Sequence, residues 1–115
     1  MNDLNKELLI HWTINDKETA IEMVLVYAKT AKVEKWWEEI TLLVWGSSTK
    51  LVSEDLEIQD YIKGLQKSGV RVIACKKCAE NYRVVDIFEK INIELFYTGK
   101  FLTDWLKSNK KIITV

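Results

Sequence analysis

Five short apolar runs, separated by segments with helical spacing, constrain the fold of this chain more than any other feature. Each run mixes β-branched, aromatic and leucine residues with little polar alternation, which is typical of a strand covered on both faces. Strands that alternate with helices predict an α/β domain with a mostly parallel five-stranded sheet, helices on both faces and right-handed crossovers. The runs are KELLIHWTI (6–14), EEITLLVWG (38–46), VRVIA (70–74), IELFY (93–97) and KIITV (111–115).

Four helices are predicted between these strands. The first has Asn15 as its N-cap, and the second has Ser53 as its N-cap and ends at Gly69. The third begins at the two cysteines, and a short fourth follows Gly99. The chain has 115 residues and no linker or repeat, so we expect a single domain over residues 1–115.

Composition excludes several classes of function. Basic and acidic residues balance at 17 each, so the sequence offers no field that attracts nucleic acid or an anionic membrane surface. No segment approaches the roughly 18 to 20 apolar residues of a membrane span, and the N-terminus lacks the apolar core of a signal peptide. We therefore expect a cytoplasmic protein that binds neither nucleic acid nor membrane.

The edge where the strands end is the expected location of function. In a parallel sheet, loops and helix N-termini converge outside the carboxyl ends of the strands. Both cysteines of the chain, Cys75 and Cys78, follow the third strand and so belong to this edge. The residues predicted to line a cleft beside them are Asn15, Trp45, Gly46, Ser47, Lys76, Tyr97 and Gly99.

Cys75 has the features of an activated nucleophile. A cysteine between a strand and a helix meets unpaired backbone N–H groups and the positive end of the helix dipole, which favour the thiolate. We predict a low-pKa Cys75 that is reachable from solvent. Cys78 is predicted either to help as a resolving thiol or to be buried as a small apolar side chain. In a reducing cytoplasm such a pair is catalytic, redox-active or metal-binding rather than a structural disulfide.

Other uses of the pair fit the sequence less well. Zinc needs four ligands, and the chain adds only His11, which we expect to pack along its strand, so no metal is predicted. No phosphate-binding glycine motif is present, so no cofactor is predicted. Thioredoxin-like enzymes place a cis-proline opposite their cysteines, and this chain contains no proline.

Three segments together resemble small stand-alone proteins of the DsrE/DsrF-like family over nearly the whole chain. These segments are LLVWGSSTKLV, LQKSGVRVIACKKCAENYRV and IELFYTGKFLTDWLKSNKKIITV. The resemblance implies a flavodoxin-like, three-layer α/β/α fold and homo-oligomers, often trimers or hexamers. For some members it also implies a cysteine that carries sulfur as a persulfide, and by position that role is inherited by Cys75.

Tryptophans suggest where such an oligomer forms. Trp36 and Trp37 are adjacent and should point to opposite sides, which leaves core packing and an interface equally open. Large apolar patches rarely stay exposed on a small domain. We expect a closed homo-oligomer that buries at least one of Trp36, Trp37 and Trp105.

The leading functional hypothesis is a sulfur-handling protein that accepts sulfane sulfur on Cys75 and passes it to an acceptor thiol, with a sulfur donor or acceptor protein as partner. One alternative is a non-catalytic module that binds a small ligand or a protein. A second alternative is a dithiol redox sensor built on Cys75 and Cys78.

Overall fold

The computed structural model of the protein describes residues 6–115 and contains one five-stranded sheet. All of its strand pairs are parallel, in the order β4-β3-β2-β1-β5. The predicted α/β fold is confirmed; four strands are slightly shorter than their apolar runs, and β3 keeps the length of its run but is shifted by one residue to include Cys75. The strands are β1 (Glu7–Trp12), β2 (Glu39–Val44), β3 (Arg71–Cys75), β4 (Glu94–Phe96) and β5 (Lys111–Thr114).

Six helices connect the strands, because two of the four predicted helices are each split in two. The helix α1 covers residues 17–33 and is π-helical over Ala20–Leu25. No helix within the described part of the chain is long and apolar enough to cross a membrane. The other helices are α2 (Ser48–Glu54), α3 (Leu56–Lys67), α4 (Lys76–Asn81), α5 (Val85–Lys90) and α6 (Gly99–Lys107).

Helix starts lie close to their predicted positions, but the capping residues differ. The first helix is capped by Asp16 rather than Asn15, since the Asp16 carboxylate accepts from the N–H of Glu18 at 3.1 Å. The predicted cap Ser53 is the penultimate residue of α2, and Asp55 caps α3 instead. Asp55 has an extended backbone, which both ends α2 and starts α3.

The two faces of the sheet are covered unequally. From β1 to β4 the chain always steps to the next strand in the same direction, so right-handed crossovers place their helices on one face. The step from β4 back to β5 reverses that direction and brings α6 to the other face. The larger core lies on the first face, while α6 is the one helix within residues 6–115 that packs on the second, through Trp105, Phe101 and Leu102.

Candidate functional site

Three neighbouring strand ends surround Cys75. Cys75 is the last residue of β3 and pairs with Phe96, the last residue of β4. On the other side Ala74 pairs with Val44, the last residue of β2. The loops that follow β2 and β4 therefore begin on either side of this cysteine.

Cys75 lies where two helices begin. It occupies the N-cap position of α4, and Thr98 occupies the N-cap position of α6. Backbone N–H groups of Lys77, Cys78 and Thr98 lie near the Cys75 sulfur, although none forms a well-aligned capping hydrogen bond with it. The interaction is therefore mainly electrostatic, and it favours negative charge on the sulfur.

These donors decide the ionisation of Cys75. Burial alone raises the pKa of the Cys75 thiol, because the charged form loses hydration. The backbone N–H of Cys78 and the Thr98 hydroxyl oppose that effect, followed by the N–H groups of Lys77 and Thr98. Their combined effect prevails, and the pKa of Cys75 is lowered from the ordinary value of a thiol.

Two buried threonine hydroxyls accompany the two sulfurs. Thr98 and Thr49 are each 0% exposed, and neither hydroxyl has a hydrogen-bond partner of good geometry among the described residues. Each faces one sulfur: the Thr98 hydroxyl lies near Cys75, and the Thr49 hydroxyl lies near Cys78. Buried polar groups are rarely left unpaired, which suggests a partner of another kind at each hydroxyl. Each hydroxyl proton is free to be donated to a negatively charged sulfur.

Cys78 has the opposite character to Cys75. It is half-buried, and the N–H of Gly46 donates to its sulfur at 3.4 Å. Burial raises the pKa of Cys78, and the charge on Cys75 raises it further, with the Gly46 N–H as the main opposing contact. The pair therefore ionises at Cys75 first, while Cys78 keeps its proton next to the charged Cys75 sulfur.

A polar rim, formed by Lys76, Glu80 and Tyr97, lies beside Cys75. The Tyr97 hydroxyl donates to the Glu80 carboxylate at 3.1 Å, and the Lys76 ammonium lies 5.6 Å from the centre of the Tyr97 ring. The carboxylate of Glu80 raises the pKa of Tyr97, and the negative charge of Cys75 adds to this rise. Tyr97 is therefore a neutral phenol that is electrostatically coupled to the thiol site.

The turn after β2 holds the Gly46 N–H against Cys78. Gly46 has φ +66°, and a Cβ at this position would lie 3.3 Å from the carbonyl oxygen of Thr13. The hydroxyl of Ser47 donates to that same carbonyl at 3.0 Å, and the hydroxyl of Ser48 donates to the Trp12 carbonyl at 2.7 Å. These contacts tie the turn to the end of β1, so the chain needs a glycine here.

Comparison with known structures shows the family. A structure described as a conserved protein of unknown function, BT1422 from Bacteroides thetaiotaomicron, has a TM-score of 0.97 and 36% sequence identity, covering 100% of this chain and 99% of that one. This chain belongs to the family of BT1422. The ychN protein from E. coli has a TM-score of 0.72 and 16% identity, covering 96% of this chain and 99% of that one, which shows a shared fold alone. No family model and no curated protein matches the sequence.

The structure gathers part of the predicted cleft around the sulfurs. Gly46 contacts Cys78, and Lys76 and Tyr97 form the rim beside Cys75. Ser47 serves the turn itself, and Trp45 packs edge-on against His11 with ring centroids 5.2 Å apart. Asn15 is exposed in the loop after β1 and Gly99 is exposed as the first residue of α6, and their part in a site stays a prediction.

One expectation about exposure is wrong. Cys75 was expected to be reachable from solvent, but the residue is only 5% exposed because the ends of β2 and β4 enclose it. Of the three tryptophans named for an oligomer interface, Trp105 is buried by its own chain, and its ring nitrogen donates to the Lys111 carbonyl at 2.9 Å, so the expected interface now rests on Trp36 and Trp37 and stays a prediction. His11 packs along its strand with Nδ1 3.2 Å from the Thr114 hydroxyl, whereas its buried Nε2 has no hydrogen-bond partner among the described residues.

Sequence reasoning missed three residues of the site: Thr49, Glu80 and Thr98. Thr98 directly follows Tyr97 at a predicted strand end, so its location was foreseeable although its role toward sulfur was not. Thr49 and Glu80 belong to no catalytic or binding motif in the sequence, so neither residue carried a signal toward the cysteines. Only the packing of α2 and α4 against the strand ends gives them their partners.

Gly46 provides a test of the turn that holds Cys78. The Gly46→Ala substitution introduces a Cβ into a left-handed backbone conformation and against the Thr13 carbonyl, so it should destabilise the protein by about 1 to 3 kcal/mol. Urea unfolding followed by circular dichroism measures this change.

The matched control is Gly64→Ala, within α3, where an added Cβ meets no atom within 4 Å. This change should stabilise the protein by up to about 1 kcal/mol, because alanine favours the helix. If both substitutions had the same effect, the close approach at Gly46 would not be a constraint on the fold.

Proposed function

We propose that this protein handles sulfur in the manner of DsrE/DsrF-like proteins: Cys75 accepts a sulfane sulfur as a persulfide and passes it to an acceptor thiol. The observation that carries the proposal is the low-pKa Cys75 sulfur placed between the starts of α4 and α6. Sulfur transfer begins with attack by a thiolate, and the reaction asks little else of the protein. The proposal places the protein in the cytoplasm, where the thiols are kept reduced.

The surroundings of Cys75 also suit the product. A persulfide anion carries its charge on the outer sulfur, which needs hydrogen-bond donors after leaving water. The unpartnered Thr98 hydroxyl and the nearby N–H groups are donors of this kind. The burial of Cys75 limits attack by unrelated thiols, so a bound sulfur would be protected between turnovers.

Burial restricts the donor as well. Because Cys75 is only 5% exposed, a small sulfur compound fits the closed site more readily than a large protein does. A protein donor or acceptor would need the rim of Lys76, Glu80 and Tyr97 to move first. That rim is held by the phenol to carboxylate contact of Tyr97 with Glu80 and by the Lys76 ammonium over the Tyr97 ring, and contacts of this kind at an exposed position are weak restraints.

A second candidate function is a ligand-binding or assembly module. A groove of about 660 Å³ lies between α1 and α3, and its lining includes Ile21, Val26 and Tyr61. Val26 is 50% exposed and Tyr61 is 41% exposed, so this groove presents apolar surface to solvent. Its lining contains neither cysteine, so a function there would be independent of the thiols.

Sulfur loading tests the main proposal. In a Cys78→Ser background, reduced protein treated with glutathione persulfide should gain the mass of one sulfur atom on Cys75. Cys75→Ser should show no such gain, because a hydroxyl cannot form the persulfide. Intact-protein and peptide mass spectrometry after alkylation locate the added sulfur.

The Cys75→Ser variant is expected to fold normally, so a failure to take up sulfur would reflect the missing thiol. Serine nearly matches the volume of cysteine and is a favoured N-cap, so Cys75→Ser should keep its circular dichroism spectrum and lose no more than about 1 kcal/mol of stability. Sulfur found on Cys78 alone would move the role to that residue. If no donor loaded either cysteine, the ligand-binding module would become the better account.

We further propose that the protein forms a closed homo-oligomer, such as a trimer or hexamer, through a surface that includes Trp36. Trp36 is 60% exposed and stacks at a tilt on Tyr27, with ring centroids 6.3 Å apart. Trp37 is half-buried and donates to the Tyr27 hydroxyl at 3.1 Å, so it mainly supports this surface from beneath. Exposed tryptophans of this kind are typical interface anchors.

Analytical ultracentrifugation tests the oligomer. The unmodified protein should sediment as a trimer or hexamer, and Trp36→Ala should shift it toward monomer, since loss of an aromatic anchor typically costs about 2 kcal/mol or more. Leu106→Ala is a control at an equally exposed apolar residue, 60% in both cases, and should leave association unchanged. A monomeric unmodified protein would contradict the proposal.

A further inference from the structure

The two cysteines of the site lie side by side, with the pKa of Cys75 lowered and the pKa of Cys78 raised. As N-cap and third residue of the same helix, Cys75 and Cys78 bring their side chains together, at a spacing that a disulfide can bridge. Both are free thiols. The Cys78 sulfur is fixed from one side by the Gly46 N–H at 3.4 Å and faces the Cys75 sulfur on the other.

The more acidic of the two cysteines is the less exposed one. The more acidic Cys75 is buried, whereas the less acidic Cys78 is half-buried and therefore closer to solvent. An acceptor thiol from outside consequently reaches Cys78 more easily than it reaches a sulfur carried on Cys75. The nearest thiol to a persulfide on Cys75 is Cys78 itself.

We propose that Cys78 resolves the persulfide on Cys75, releasing hydrogen sulfide and leaving a Cys75–Cys78 disulfide. This inference rests on the proposed function, since it needs Cys75 to accept a sulfur. It makes the protein a reductase for sulfane sulfur compounds, and the persulfide becomes an intermediate rather than the delivered cargo.

The steps balance without an additional oxidant. In the first, the Cys75 thiolate attacks the outer sulfur of a donor persulfide; a new S–S bond forms, the S–S bond of the donor breaks, and the donor leaves as a thiolate. In the second, Cys78 gives up its proton and attacks the Cys75 sulfur; the bond to the outer sulfur breaks, and that sulfur leaves with the electron pair and the proton as hydrogen sulfide. The sulfane sulfur is reduced, and the two cysteines are oxidised to the disulfide.

Regeneration uses the same asymmetry. A low-molecular-weight thiol or a dithiol protein attacks the more accessible Cys78 sulfur, and Cys75 leaves as a thiolate; a second thiol of the reductant then attacks the reductant's own sulfur in the mixed disulfide and releases Cys78. A thiol leaves faster when its thiolate is stabilised, and the donors around Cys75 provide that stabilisation. The disulfide should therefore be readily reduced, as suits a catalytic rather than a structural bond.

A single-turnover experiment tests the inference. Reduced protein, freed of other thiols, receives one equivalent of glutathione persulfide, and released sulfide and intact mass are followed together. The unmodified protein should release about one sulfide per chain and end as a disulfide that resists alkylation. Cys78→Ser should retain the sulfur on Cys75 and release sulfide at least about tenfold more slowly than the unmodified protein. The reason is that the internal Cys78 thiol, which the variant lacks, acts at a high effective concentration.

The outcomes separate this inference from the proposed function. If Cys78→Ser carries sulfur on Cys75 while the unmodified protein keeps its own persulfide and forms no disulfide, the resolving role is overturned and the carrier function stands. Equal sulfide release from both proteins overturns the resolving role as well. If neither protein takes up sulfur, the proposed function itself is overturned. Cys78→Ala replaces Cys78→Ser if the serine variant does not fold.

Discussion

Parallel pairing of β3 with β2 on one side and β4 on the other brings three strand ends to the Cys75 sulfur. In this fold a helix begins soon after a strand ends, and the first backbone N–H groups of a helix have no hydrogen-bond partner within that helix. Two such beginnings, those of α4 and α6, meet at Cys75. The sulfur is thus enclosed by protein and still surrounded by hydrogen-bond donors, a combination that an isolated helix end in solvent does not offer.

The same geometry makes the two cysteines unlike each other. Cys75 gains donors from two helices, and its pKa is lowered despite its burial. Cys78 has the Gly46 N–H as its main stabilising contact and lies next to a negative sulfur, so its pKa is raised. A pair with one thiolate and one thiol can perform a nucleophilic attack and then a proton-coupled second attack. A pair of identical thiols would have neither step favoured.

Much of the fold could be predicted from the sequence because a parallel strand that is covered on both faces appears in the sequence as a nearly continuous apolar run. The location of Cys75 at the strand edge followed directly from VRVIAC and the helical spacing after it. The caps could not be assigned, because several capping side chains stand together in the sequence. Asn15 precedes Asp16, and Ser53 lies two residues before Asp55, and only the packed backbone decides which of each set is extended.

Exposure was harder to predict than position. The burial of Cys75 depends on which strands flank β3, and no local pattern in the sequence records strand order. Thr49 and Thr98 belong to the site for the same reason, since they reach the sulfurs from elements distant in the chain. The uneven covering of the sheet, with α6 as the single described helix on one face, likewise follows from strand order rather than from any helix's own sequence.

The most direct test of this account is the ionisation of each cysteine, followed by the pH dependence of its Cβ chemical shift in NMR spectra of the reduced protein. The account predicts that Cys75 titrates first, with a midpoint below the ordinary value of about 8.5 for a free thiol, and that Cys78 titrates later, above that value. If Cys78 titrated first, or if both cysteines shared the ordinary midpoint, the convergence of donors on Cys75 would not control the chemistry of the pair.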